Sequence, residues 1–202
     1  MIGLSWALCL IWGYLWGSMS SAIIVCRYMN LPDPRTHGSK NPGATNVLRI
    51  GGKKAALFTL IGDLLKGFIP VLLIRFFFPA MEALWLVAGI GAFIGHMFPI
   101  FFKFQGGKGV ATAFGVLLAW HMGLAGATLI IWLSVFAFTR ISSLSALIAA
   151  FSAPWIAFIG IGNIKIAVTV LFMVSILIYR HKANIYRLIH GQESAFNFKK
   201  KP

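Results

Sequence analysis

The residues best suited to chemistry form one short run, Lys103-Phe104-Gln105-Gly106-Gly107-Lys108-Gly109-Val110-Ala111-Thr112, set between two apolar stretches. Gly106, Gly107 and Gly109 carry no Cβ, so their backbone N–H groups can approach a ligand closely. Lys103 and Lys108 add positive charge. Apolar sequence resumes at Val110, which predicts a helix starting there, and a helix N-terminus presents unpaired N–H groups and partial positive charge. The chemistry that suits this run is the holding of a phosphate. It is not a nucleotide P-loop, because no Gly-x-x-x-x-Gly-Lys-Ser/Thr occurs here. The plainer alternative is a flexible turn whose lysines orient it at a membrane.

Two other polar segments could share that task. In the run 33–49, Ser39, Asn41, Thr45 and Asn46 stand among Arg35, Lys40 and Arg49. Small donors beside guanidinium groups, which bind phosphate oxygens bidentately, suit a small hydroxylated polyanion. The alternative is a solvated basic loop. The tail 179–193 sets Arg180, His181, Asn184 and Arg187 beside an apolar stripe of Ile185, Leu188 and Ile189. It reads as a third wall of a polar site or as a basic amphipathic helix on anionic lipid. Lys199, Lys200 and Lys201 read as an orienting, lipid-binding end. His96 stands about two helical turns, ~10 Å, before Lys103, either as packing or as a polar ligand under the loop. Asp63 and Lys66 are spaced i, i+3, so an ion pair is expected; alternatively Asp63 orients a phosphate-binding cation.

The elements that must position these residues are membrane helices. Of 202 residues 59% are hydrophobic and only 11% charged, against about 25% charged in ordinary chains. The expected fold is an all-α integral membrane protein, one transmembrane helical domain over 1–202. Spans are expected at about 2–26, 54–78, 83–102, 110–120, 124–138, 142–161 and 164–180. The run 110–138 is long for one span and short for two, with a turn at Trp120-His121-Met122-Gly123. Charge decides: two spans there put the segments 27–53, 103–109 and 180–202 on one basic face. The positive-inside rule then favours about seven helices, N-terminus out and C-terminus cytoplasmic.

The net charge of +14, from 18 Lys and Arg against 4 Asp and Glu, accordingly reads as orientation and as affinity for phosphates and acidic lipids, not for nucleic acid. Cys9 and Cys26 lie at opposite ends of one span, cannot pair and read as packing residues. The first span lacks a basic leader and reads as retained.

Familiar nucleophile arrangements are missing. There is no Gly-x-Ser-x-Gly elbow, no His-x4-Asp, and no cluster with metal-ligand spacing. Carboxylates are too few for a diphosphate–magnesium site, so neither metal nor cofactor is expected. A transporter of a small organic phosphate is the rival class, but it needs polar residues along a route across the bilayer, whereas here they gather at one interface.

Taken together, Gly38-Ser39-Lys40-Asn41-Pro42-Gly43-Ala44-Thr45-Asn46, Gly95-His96 with Gly106-Gly107-Lys108-Gly109-Val110-Ala111-Thr112, and His181-Lys182-Ala183-Asn184-Ile185 closely resemble the bacterial acyl-phosphate-dependent glycerol-3-phosphate acyltransferases (the PlsY family). Gly17-Ser18 and Asp63-Leu64-Leu65-Lys66-Gly67 look similar as well, and the likeness spans nearly the whole chain. It implies transfer of a fatty acyl group from acyl phosphate to glycerol 3-phosphate. The products are 1-acyl-glycerol 3-phosphate (lysophosphatidate) and phosphate, in the first step of membrane phospholipid synthesis. It also implies a multi-pass enzyme of the bacterial inner membrane with its site facing the cytoplasm. Its functional partner would be a soluble acyl-carrier-protein:phosphate acyltransferase that supplies the donor.

On that resemblance Gly106, Gly107, Lys108 and Gly109 hold the donor phosphate as it leaves. Ser39, Asn41, Thr45, Asn46 and Arg49 enclose glycerol 3-phosphate, and His181 and Asn184 complete that wall. Because acyl phosphate is already activated, the work left is orientation and charge stabilisation. The hydroxyl proton goes to His181, to His96 or to a substrate phosphate oxygen.

Overall fold

The computed structural model describes residues 2–196. Among them every regular element is helical: α1 Ile2–Gly17, α2 Ser21–Tyr28, α3 Ala44–Phe77, α4 Glu82–Met97, α5 Val110–Trp120, α6 Met122–Thr139, α7 Ser142–Trp155, α8 Ile164–Arg180 and α9 Lys182–Ile189. A 3₁₀ turn, Ile100–Phe102, follows α4, and a π-helical turn, Ile156–Gly160, follows α7. The lysines at 199–201 lie outside the described residues. Large apolar side chains stand on the surface, among them Phe138, Ile159 and Phe76. That is costly in water and ordinary in lipid.

Five stretches among the described residues are long and apolar enough to cross a membrane, or six if the bent pair α8–α9 counts as one crossing. The expected seven is not reached by length. The run 110–138 does divide at His121, as the turn signal suggested. Its first half, however, has 11 residues, about 16 Å of helix against a hydrocarbon core of about 30 Å.

Three boundaries differ from expectation for identifiable reasons. The first span is interrupted at Ser18–Ser20, where Ser20 turns extended. The carbonyl of Met19 freed there accepts a hydrogen bond from Lys66 Nζ at 2.9 Å. The second span starts early: Thr45, Asn46 and Arg49 are already in α3, not in a loop. A kink separates this first part from the long rod, because Gly52 takes φ 74°, a conformation glycine adopts without a Cβ penalty. The third span stops at Met97, just before Pro99.

The chain packs as two units, Met1–Met122 and Gly123–Pro202. In the first, α1 lies on α4 through facing small residues. A Cβ on Gly17 would strike the Ala92 carbonyl group, with Ala92 Cα at 2.8 Å, and a Cβ on Gly95 would meet Ser18 N at 2.9 Å. Gly13 and Gly91 repeat the pattern one turn away. Helices in lipid associate through such close backbone approach. At the far end of α5, Arg75 Nη1 donates to the carbonyls of Ala119 (2.6 Å) and Trp120 (2.9 Å). A cation thus satisfies the end of a short helix that would otherwise present bare carbonyls. Within the second unit α7 packs on α8, and Asn163 caps α8 by accepting from Ile166 N at 3.1 Å. Cys9 and Cys26 are buried and free, as packing residues should be.

Gly17→Val should lower thermal stability in detergent by about 2–3 kcal/mol, read as an unfolding shift. Gly3→Val, where a Cβ meets nothing within 4 Å, should leave it unchanged.

Candidate active site

In the first unit the glycine–lysine loop does not run away from its helix but folds back onto it. Lys103 and Phe104 both take left-handed backbone, φ 57°. The reversal is held by Phe104 N donating to Pro99 O at 2.9 Å and Gln105 N donating to Phe102 O at 3.2 Å. Gly107 N then donates to His96 O at 3.2 Å. A Cβ at Gly107 would collide with His96 Nε2 and lie 2.9 Å from Pro42 O. Only glycine therefore fits between the His96 ring and the first polar segment. Gly109 caps α5 with φ 85°, so the loop delivers Lys108, half-buried, immediately ahead of a helix N-terminus.

The first polar segment is built around Asn46. Its Nδ2 donates to Pro34 O (2.9 Å) and His37 O (3.0 Å), and its Oδ1 accepts from Ser39 N (2.8 Å). At 1% exposure this amide is occupied in shaping the loop that carries Ser39. Arg35 is likewise committed. Its Nη2 lies 2.6 Å from Asp33 Oδ2 and its Nε 3.0 Å from Asp33 Oδ1. The hydrogen bonds and charge of Arg35 hold the Asp33 carboxyl below the usual aspartate range. Ser39 and Arg49 are exposed, and Asn41 and Thr45 half-buried.

Below the loop, Asp63 and Lys66 form the expected pair, Nζ to Oδ1 2.8 Å, with both side chains almost fully buried. His96 Nδ1 sits 3.6 Å from the same Oδ1 and 3.0 Å from Thr112 Oγ1. His96 is thus neither isolated packing nor ~10 Å remote from the loop; the loop rests on it.

The second unit holds the remaining candidates. His181 Nδ1 is 2.9 Å from Leu177 O. A carbonyl only accepts, so Nδ1 carries a proton, and whenever the ring is neutral the unprotonated nitrogen is Nε2. Asn184 Nδ2 donates to Glu193 Oε1 at 2.6 Å, Ser143 Oγ donates to the same oxygen at 2.7 Å, and Arg187 Nε donates to Oε2 at 2.6 Å. Burial pushes the Glu193 carboxyl up, but these three hydrogen bonds and the Arg187 charge outweigh it, leaving the group below the ordinary glutamate range. Sequence reasoning gave Glu193 no role. Its signal was scarcity: it is one of four acids in a chain of net charge +14, so each acid needs a reason to be there. Among the described residues no group of three or more His, Cys, Asp or Glu could hold a metal.

The family model for glycerol-3-phosphate acyltransferase matches residues 7–191. The chain is 52% identical over 189 residues to a glycerol-3-phosphate acyltransferase of Methylococcus capsulatus, across 93% of this chain and 94% of that one. It is 53% identical over 191 residues to one of Burkholderia vietnamiensis, across 93% and 89%. Among solved structures it is similar to PlsY (YgiH), an integral membrane glycerol 3-phosphate acyltransferase. The glycerol 3-phosphate form gives a TM-score of 0.90 at 36% identity, covering 96% of each chain. The lysophosphatidic acid form gives 0.88 at 35%, with the same coverage.

Asn46→Ala should loosen the 34–39 segment and cost about 2–4 kcal/mol, since it strands a buried N–H and two carbonyls. Limited proteolysis should then cut within that segment. Asn46→Asp should do worse, because it turns an acceptor toward two carbonyls. In the second unit the depressed Glu193 pKa makes its contribution full above the ordinary glutamate value, about 4.3, and lost as pH falls through the lower folded value. Hydrogen-exchange protection of residues 184–193 should fall as pH drops below the ordinary glutamate range, and Glu193→Gln should remove that dependence.

Proposed function

The chain belongs to the glycerol-3-phosphate acyltransferase family, and from that premise we propose which donor it uses and what its residues do. It is a multi-pass membrane enzyme that acylates glycerol 3-phosphate to lysophosphatidate. The donor is acyl phosphate, made by a separate soluble acyl-carrier-protein:phosphate acyltransferase. The enzyme lies in the bacterial inner membrane with its site toward the cytoplasm, N-terminus outside, consistent with the basic residues of 27–53 and 103–109.

The observation that carries the assignment of roles is the seat of Gly107 between His96 and Pro42 O. It sets the glycine–lysine loop beside the segment bearing Ser39 and Asn41. A phosphate held by the N–H groups of Gly106 and Gly109, with Lys108 as counter-charge, is then adjacent to a second set of donors, while the Gly107 N–H ties the loop to the His96 carbonyl. Ser39, Asn41, Thr45 and Arg49 hold the acceptor phosphate. Asn46 serves by shaping their loop and does not touch substrate.

The hydroxyl oxygen of glycerol 3-phosphate attacks the acyl carbonyl carbon. The carbon–oxygen bond to phosphate breaks, and phosphate leaves with the electron pair, stabilised by Lys108 and the loop N–H groups. The hydroxyl proton passes to a phosphate oxygen of the substrate; the resemblance also offers His181, which substitution tests.

The test is purified protein in lipid with acyl phosphate and glycerol 3-phosphate, reading phosphate release. Acyl coenzyme A serves as the control donor. Release should require acyl phosphate, and in sealed vesicles it should require glycerol 3-phosphate on the cytoplasmic side. Equal turnover with acyl coenzyme A would refute the donor assignment. Lys108→Ala should lose about 10²–10³-fold in kcat with an unchanged melting temperature. His181→Ala should lose about 10²-fold or more if its ring takes the proton, and should keep most turnover if the substrate phosphate does.

A further inference from the structure

Four side chains from three helices meet beneath the glycine–lysine loop: Asp63 and Lys66 on α3, His96 on α4 and Thr112 on α5. All are buried, at 2%, 4%, 5% and 0% exposure. None reaches solvent, so a role in contacting substrate does not explain them. A purely stabilising role does not explain them well either, since burying an ion pair in a helix bundle is often no better than apolar packing.

Counting protons settles how the cluster is wired. Thr112 Oγ1 lies 2.9 Å from Asp63 O and 3.0 Å from His96 Nδ1. A carbonyl oxygen only accepts, so the single hydroxyl proton goes to Asp63 O. Oγ1 can then meet Nδ1 only by accepting, which puts a proton on His96 Nδ1. The nearest charged group agrees: Asp63 Oδ1, an acceptor, is 3.6 Å from the same nitrogen. Lys66 Nζ holds the same carboxylate oxygen, 2.8 Å from Oδ1, and is itself 2.9 Å from Met19 O. The opposite edge of the ring, Nε2, faces Gly107.

We propose that Thr112 and Asp63 are positioning residues that hold His96 with its proton on Nδ1, so that an unprotonated Nε2 is turned to the Gly106–Lys108 backbone and sets the loop that holds phosphate. His96 is therefore not the base for the hydroxyl proton. Its Nε2 is covered by Gly107, and the ring is too deeply buried to meet substrate. The inference rests on reading the loop as the phosphate holder.

The test begins with ¹⁵N-histidine-labelled enzyme in detergent, the His96 signals being identified by their loss in His96→Asn. Nδ1 should give a pyrrole-type nitrogen signal and Nε2 a pyridine-type one. Thr112→Val should scramble that signature and lower kcat/KM by about 10–100-fold, as expected for a displaced binding loop. Thr112→Ser, which keeps the hydroxyl, should restore both. A pyridine-type Nδ1 in active wild-type enzyme would overturn the proposal, as would a Thr112→Val enzyme with unaltered signature and activity. If Thr112→Val does not fold, the wild-type spectrum and Thr112→Ser decide. Failure of the underlying reading looks different: near-normal turnover in Lys108→Ala with the predicted His96 signature intact.

Discussion

A charge carried into a bilayer must find its partners inside the protein, and Lys66 finds two: the Asp63 carboxylate at 2.8 Å and the Met19 carbonyl at 2.9 Å. Much of the first unit follows from this arrangement. A helix cannot break in lipid unless something satisfies the carbonyls it releases. Lys66 does so at the Ser18–Ser20 interruption, which lets α2 leave the line of α1. Asp63 neutralises Lys66 and so removes the cost of placing it there. The same carboxylate lies near His96 and the Asp63 backbone carbonyl takes the Thr112 hydroxyl, so α3, α4 and α5 are tied at one level directly under the loop.

The loops above are shaped by backbone requirements more than by their own side chains. Left-handed turns at Lys103 and Phe104 cost about 1 kcal/mol or more apiece, and they persist because the hydrogen bonds to Pro99 and Phe102 fix the reversal. Gly107 has a Cβ-free face against the His96 ring and Pro42 O, so the two polar segments approach at a distance no other residue permits. On the other side Asn46 replaces a missing secondary structure: one amide gathers three backbone groups of residues 34–39.

Much of this was legible in the sequence. Hydropathy gave an all-helical membrane chain with helices starting at Val110 and Ile164, and turn residues with the distribution of charge gave the break near His121. The i, i+3 spacing of Asp63 and Lys66 gave their ion pair. Other features were not legible, for physical reasons. The helical start at Ala44 is hidden because polar residues there read as loop, and the Gly52 kink is a single dihedral. The Gly91 and Gly95 stripe matters only because α1 brings Gly13 and Gly17 to it, a tertiary fact. Thr112 stood in the quoted run without a role, since its two partners lie 16 and 49 residues away. Counting spans by charge favoured seven, but charge reports which side a loop prefers and says nothing of whether an 11-residue helix is long enough to cross.

Burial divides the polar residues into two sets, and the division bears on chemistry. Asn46, Asp63, Lys66, His96 and Thr112 are buried, and they are bonded to one another or to backbone carbonyls and N–H groups. Ser39, Asn41, Thr45, Arg49 and Lys108 are exposed or half-exposed. An enzyme that must generate a nucleophile buries a base beside it and tunes that base by its surroundings. An acyl transfer from an activated donor makes no such demand. It needs two anions held close together and a charge ready for the one that leaves. A cross-linked buried cluster beneath exposed polar and cationic side chains suits that demand. On the proposed roles, the buried set fixes where backbone N–H groups point and the exposed set meets the substrates. The absence of a nucleophile from the sequence and the investment of so many polar groups in the interior are then two aspects of one design: preorganisation replaces covalent chemistry.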